Sequence, residues 1–165
     1  MSQIAFITGA TSGFGAACAR LFAANGWWLI LCGRRLERLE ALRVELAGAV
    51  SVHAVTLDVR DGSAVNAALA ALPSAFAEID VLVNNAGLAL GLEPAQQCDM
   101  EDWQRMIDTN IKGLLYCTRA ILPGMVARDR GHIVNIGSVA GSYPYPGGNV
   151  YGLSLIHISD PTRPH

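Results

Sequence analysis

The stretch TGATSGFG, residues 8–15, stands between a short apolar run, IAFIT (4–8), and an amphipathic one, FGAACARLFAANG (14–26). Strand, glycine turn and helix in that order constrain the fold more than any other feature of the chain. Glycine permits a tight turn and lets a phosphate approach the backbone. The helix N-terminus behind it supplies free N–H groups and the positive end of a dipole. Gly9, Gly13 and Gly15 follow the spacing G-x-x-x-G-x-G. In this context the spacing points to a dinucleotide phosphate site; the plainer alternative is a tight turn whose small residues serve packing.

The alternation continues along the chain. WWLILCG (27–33), VSVHAVTLD (50–58), IDVLVNN (79–85) and GHIVNIGS (131–138) read as strands, and His53 as a strand residue with no ligand role. Asn25-Gly26 ends the first helix. LERLEALRVELAG (36–48) places Leu36, Leu39, Leu42 and Leu46 on one helical face, with Gly48 as its stop, and residues 61–71 form a third helix. Asp99 can cap a helix whose first turn holds Glu101 and Asp102. Ile111, Leu114, Leu115, Thr118, Leu122 and Met125 then recur at helical spacing. Strands apolar on both faces and separated by helices imply an α/β protein, a Rossmann-type doubly wound parallel sheet of five strands with flanking helices.

Of the 165 residues, 52% are hydrophobic and 16% charged, which suits a buried core and argues against disorder. A formal net charge of −2 without a basic block argues against nucleic acid as a partner. No apolar run reaches the length of a membrane span, and no basic n-region opens the chain, so a cytoplasmic protein is expected. Cys18, Cys32, Cys98 and Cys117 form no C-x-x-C pair; buried reduced thiols are expected, and no metal site.

The second strand ends in Gly33-Arg34-Arg35. Dinucleotide-binding folds place the reader of the adenosine ribose there: an acid favours NAD, an arginine the 2′-phosphate of NADP. Two cations at a helix start oppose its dipole, so a structural reason for them is hard to find. Arg34 with Arg35 reads as a 2′-phosphate site; a solvated surface pair is the alternative.

TGATSGFG, LDV (57–59), NNAG (84–87), TN (109–110), GS (137–138) and Tyr151 stand in the order and spacing of the short-chain dehydrogenases/reductases. The chain resembles that family from residue 3 to residue 152. NNAGLALGLEPA, DTNIKGLLYCTRAILPGMV and GSYPYPGGNVYG are similar to its NADP-dependent 3-hydroxy acid dehydrogenase subgroup. That resemblance implies NADP as cofactor and serine, allo-threonine and related 3-hydroxy acids as small-molecule substrates, with malonic semialdehyde reduced in the other direction. It also implies a homotetramer for the parent protein.

The resemblance implies roles for single residues. Thr8, Gly9, Ala10, Thr11, Ser12, Gly13, Phe14 and Gly15 form the cofactor loop. Asp58 bonds the adenine amino group with the Val59 N–H nearby; Ala86 and Gly87 let the backbone lie against a ribose; Asn84 and Asn85 brace the sheet. Ser138, at the C-terminal edge of the sheet, hydrogen-bonds the substrate carbonyl, unless it is only a turn or cap residue. Tyr151 is the general acid and base, and also meets the cofactor; a phenol, with a pKa of about 10, needs help for that task. In the family a lysine four residues later gives this help and bonds the nicotinamide ribose, and Asn110 holds a water beside it.

Tyr151 plus four is Leu155. Leucine carries neither proton nor charge. From Leu153 onward the resemblance stops, Pro161 and Pro164 would break the expected helix, and LSLIHIS (153–159) with DPTRP (160–164) resembles a translated transposon-end adapter of sequencing libraries. A frameshift or a divergent tail is the alternative. On this reading residues 1–152 are an incomplete NADP-binding domain and 153–165 a non-native tail. Strands beyond the fifth are then absent, which leaves the fifth as an open edge. The parent gene encodes the oxidoreductase, and the chain as written is expected to be inactive. Competing readings are a reductase of another ketone or a sugar in the same family, and a non-catalytic dinucleotide-binding protein.

Overall fold

A computed structural model describes residues 2–156 other than Leu92 and Pro144. The first strand, β1 (Ile4–Thr8), is buried at every position, as its unbroken apolar run requires. It pairs in parallel with β2 (Trp28–Gly33) on one side and β4 (Val81–Asn84) on the other. β3 (Val52–Thr56) extends the sheet beyond β2, and β5 (His132–Asn135) beyond β4. The order β3-β2-β1-β4-β5 reverses direction beside β1, so the connections leaving β1 and β4 diverge and open a crevice at the strands' C-terminal ends.

Alternate residues of each strand face opposite layers. Ala5, Ile7, Leu29, Leu31, Val81 and Val83 face one core, closed by α1 (Gly13–Ala24) and α2 (Leu36–Leu46). Phe6, Ile30, Cys32 and Leu82 face the other, closed by α3 (Gly62–Ala70) and α5 (Leu114–Ala127). The central strands are sealed on both faces. The edge strands β3 and β5 are only half-buried.

The helix ends follow from local chemistry. Past α1, Gly26 takes φ +78 and its N–H reaches Ala23 O at 2.9 Å, while Trp27 N–H reaches Phe22 O at 3.1 Å. Asp61 caps α3 by accepting from Ser63 N and Ala64 N. Asp99 caps α4 (Met100–Met106) by accepting from Glu101 N at 2.8 Å. From α4 the chain passes through a π-helical segment, Ile107–Gly113, into α5.

Several expectations need correction. α2 ends at Leu46, short of Gly48, and closes through Ala47 and backbone bonds from Ala49 and Val50 to Leu46 O. Leu36 is exposed, so the buried face of α2 is Leu39, Leu42 and Leu46. In α5 the buried row is Cys117, Ile121 and Met125, while Leu115 and Leu122 are exposed. The π segment changes the helical phase, which a constant 3.6-residue count cannot register. All four cysteines are free, but Cys18 and Cys98 are only partly buried. Burial pushes the Cys117 thiol up to about 12 and the Cys32 thiol up further.

The last helix, α6 (Asn149–Leu155), runs across the expected boundary at Gly152, and Ser154 and Leu155 are buried. Pro161 and Pro164, and with them most of the expected non-native tail, lie outside the described residues. Among the described residues no helix is long and apolar enough to cross a membrane.

Candidate active site

A cleft of about 490 Å³ opens at the C-terminal ends of the strands. Every strand sends the residues just past its end into it: Gly9 after β1, Arg34 after β2, Asp58 after β3, Asn85 after β4 and Ile136 after β5. The parallel topology, more than any one motif, brings these distant residues together.

The glycine loop is clamped from behind. Asn85 Nδ2 donates to Thr8 O at 2.9 Å and to Gly9 O at 3.2 Å, and Thr8 Oγ1 accepts from Asn85 N and Ala86 N, each at 2.9 Å. Gly9 takes φ +65, and a Cβ there would lie 2.9 Å from Ala86 Cα. A Cβ at Gly15 would collide with the Gly9 carbonyl and the Asn85 amide. Gly9, Thr11, Ser12 and Phe14 line the cleft, whereas Thr8, Ala10, Gly13 and Gly15 support the loop or turn away from it.

Beside the loop, Arg34 and Arg35 line the same wall. A structural task for Arg35 does exist, contrary to expectation: its Nη2 donates to Thr11 Oγ1 at 2.8 Å and Ser12 Oγ at 3.0 Å. Those bonds hold a guanidinium against the phosphate-type turn despite its place as N-cap of α2. Asp58 and Val59 form the adjoining wall. The Asp58 carboxylate is gripped by Arg60, through Nη2 at 2.6 Å and Nε at 3.0 Å. Arg60's hydrogen bonds hold the Asp58 carboxyl below the usual carboxylate range, against the opposing effect of burial.

At the other end, Ala86, Gly87, Asn110, Ser138 and Tyr151 share the cleft. Asn84 lies behind it and braces β4, with Nδ2 donating to Asn135 Oδ1 on β5 and Thr118 Oγ1 on α5. Asn110, in the π segment, is buried; its Oδ1 accepts from Leu88 N, and its Nδ2 donates to Leu88 O and to Ser154 Oγ. Ser154 Oγ in turn donates to Tyr151 O at 2.8 Å. Ser138 accepts from Ala140 N at 3.2 Å as the cap of a short 3₁₀ turn, so its cap role and its place in the cleft coexist. Leu155 also lines the cleft, one helical turn beyond Tyr151.

Arg60 and Ser154 were not among the candidates from the sequence, whereas Leu88 and Thr109, quoted only within the NNAGLALGLEPA and TN stretches, line the cleft. A cation two residues past Asp58 was the available signal for Arg60; nothing local marked Ser154. Among the described residues no cluster of His, Cys, Asp or Glu could hold a metal ion.

The family model for short chain dehydrogenases matches residues 3–155. The chain belongs to the short-chain dehydrogenase family. The match reaches Leu155, past the Gly152 boundary expected from the sequence. Among other family members, an NADP-dependent 3-hydroxy acid dehydrogenase, YdfG, of Salmonella typhi is 60% identical over 94% of this chain. A sulfoacetaldehyde reductase of Chromohalobacter salexigens is 57% identical over 96% of it. The solved closed form of serine dehydrogenase complexed with NADP+ superposes with a TM-score of 0.90 at 54% identity, over 94% of this chain and 62% of its own. The chain spans 62% of the Salmonella protein and 63% of the Chromohalobacter one.

Proposed function

We propose that the parent gene encodes an NADP-dependent oxidoreductase acting on a 3-hydroxy acid or its carbonyl counterpart, and that the 165-residue chain binds NADP+ with at most trace turnover. The observation that carries this reading is the placing of Arg34 and Arg35 on the wall of the cleft that also holds Ser138 and Tyr151. Names of similar proteins support it: YdfG is called NADP-dependent, and serine dehydrogenase was solved with NADP+.

The donor set fits the cofactor. Arg34 and Arg35, with the hydroxyls of Thr11 and Ser12, offer cations and donors to a 2′-phosphate. The turn around Gly9 and the start of α1 present N–H groups to a pyrophosphate. Asp58 and Val59 would hold the adenine, and Ala86 and Gly87 would leave room for a ribose. When bound, the nicotinamide supplies or accepts the hydride.

The chain's own groups then manage the proton and the carbonyl. The Ser138 hydroxyl donates to the substrate oxygen and steadies its developing charge. The Tyr151 phenol oxygen gives up a proton to that oxygen in reduction and takes it back in oxidation. Asn110 fixes Leu88 to α6 and so holds the helix that carries Tyr151. Leu155 contributes no charge to this site. Binding and turnover are therefore separate questions for the chain as written. The test is the double variant Arg34→Asp/Arg35→Ala, which should move the preference from NADP+ toward NAD+. Unchanged NADP+ affinity overturns the assignment.

A further inference from the structure

Asp58 puts a negative charge into the cleft that Arg34 and Arg35 also line. A bare carboxylate there would repel a phosphate dianion and draw a neighbouring guanidinium to itself, and at a partly buried wall salt screens such forces incompletely. Arg60 answers that charge. Its Nε lies 3.0 Å from each Asp58 oxygen, its Nη2 2.6 Å from Oδ2, and its backbone N–H donates to Oδ1 at 3.1 Å. Arg60 itself is not among the residues lining the cleft. The Asp58 carboxyl is lowered chiefly by these hydrogen bonds and, to a smaller extent, by the charge of Arg34. Arg34 and Asp58 line the same cleft. Asp108 also acts on Arg60, but its own bonds go to Lys112 Nζ at 2.8 Å and Gln104 Nε2 at 2.7 Å.

We propose that Arg60 is a positioning residue for cofactor selectivity: it takes up the Asp58 carboxylate and so leaves Arg34 and Arg35 to the 2′-phosphate. This inference rests on the NADP reading above. In it Arg60 touches no phosphate, and its effect passes through Asp58 and Arg34.

The test is titration of the 165-residue chain with NADP+ and with NAD+, giving the ratio of the two affinities. Arg60→Gln should lower the preference for NADP+ by roughly fivefold, with NAD+ affinity near its starting value. Arg60→Lys, which keeps the charge, should retain most of the preference. Equal weakening of both cofactors, or an unchanged ratio, overturns the proposal and leaves the NADP reading standing. No preference for NADP+ in the unaltered chain overturns that reading and this inference together. Should Arg60→Gln fail to fold, the double variant Asp58→Asn/Arg60→Gln decides: with the anion gone as well, it should keep the NADP+ preference of the unaltered chain. A preference lowered about fivefold there means that Arg60 acts other than through Asp58 and overturns the proposal.

Discussion

Thr8 and Asn85 hold each other twice. Asn85 N–H donates to Thr8 Oγ1 at 2.9 Å, and Asn85 Nδ2 donates to Thr8 O at 2.9 Å. The pair ties the end of β1 to the end of β4, where the strand order reverses. Thr8 Oγ1 also accepts from Ala86 N, and Thr8 is almost fully buried. Thr8→Val keeps the shape and strands two N–H groups. It should destabilise the chain by about 2 kcal/mol, seen as a lower urea midpoint. An unchanged midpoint would show that the clamp adds nothing.

Gly15 lies against this clamp, where a side chain would meet the Gly9 carbonyl and the Asn85 amide. Both are fixed by the hydrogen bonds above, so neither can yield cheaply. Gly15→Ala should lower NADP+ affinity at least tenfold, about 1.4 kcal/mol, and also lower stability. A variant that binds NADP+ normally contradicts this packing. Gly13→Ala offers a contrast: no atom would meet its Cβ within 4 Å, but its φ of +55 makes alanine strained there. Its cost should come from backbone strain, about 1 kcal/mol.

The Asp58–Arg60 pair predicts a pH dependence. The folded carboxyl lies below its unfolded value, so its contribution to stability is present above the unfolded pKa of about 4 and is lost as pH falls through the folded value. Asp108, lowered chiefly by Lys112, acts with the same sign from a partly buried position. The stability difference between the unaltered chain and Arg60→Gln should be constant above about pH 5 and shrink below about pH 4. Urea midpoints measured across that range check it. A difference that grows on acidification would mean that another group dominates.

The sheet was legible because its strands are apolar on both faces, and because TGATSGFG can only serve as a turn between a strand and a helix. The position of Arg34 and Arg35 at the cleft was legible from their distance past that turn. The bond from Arg35 to Thr11 and Ser12 was not, because it joins two loops that only the parallel pairing of β1 and β2 makes neighbours. The buried face of α5 was misread for a local reason: the π segment around Asn110 resets the phase of the helix. The same segment sends the Asn110 side chain to Leu88 and Ser154, partners far away in sequence. Arg60 escaped notice because cations beside carboxylates usually make solvated pairs of little consequence.

Leu155 sets the expectation for turnover. It lies one turn past Tyr151 and lines the cleft without a charge to support proton transfer. The 165-residue chain should oxidise L-serine with NADP+ at no more than a trace rate, followed by NADPH absorbance. Turnover at an ordinary enzymatic rate, about 1 to 1000 per second, would show that Tyr151 needs no cation at that position.

The central claim is that the wall formed by Arg34 and Arg35 receives a 2′-phosphate. A crystal structure of the chain grown with NADP+ tests it most directly. The 2′-phosphate should lie within hydrogen-bonding distance of both guanidinium groups, with Asp58 still gripped by Arg60. A 2′-phosphate turned to solvent, or lodged away from Arg34 and Arg35, would contradict it.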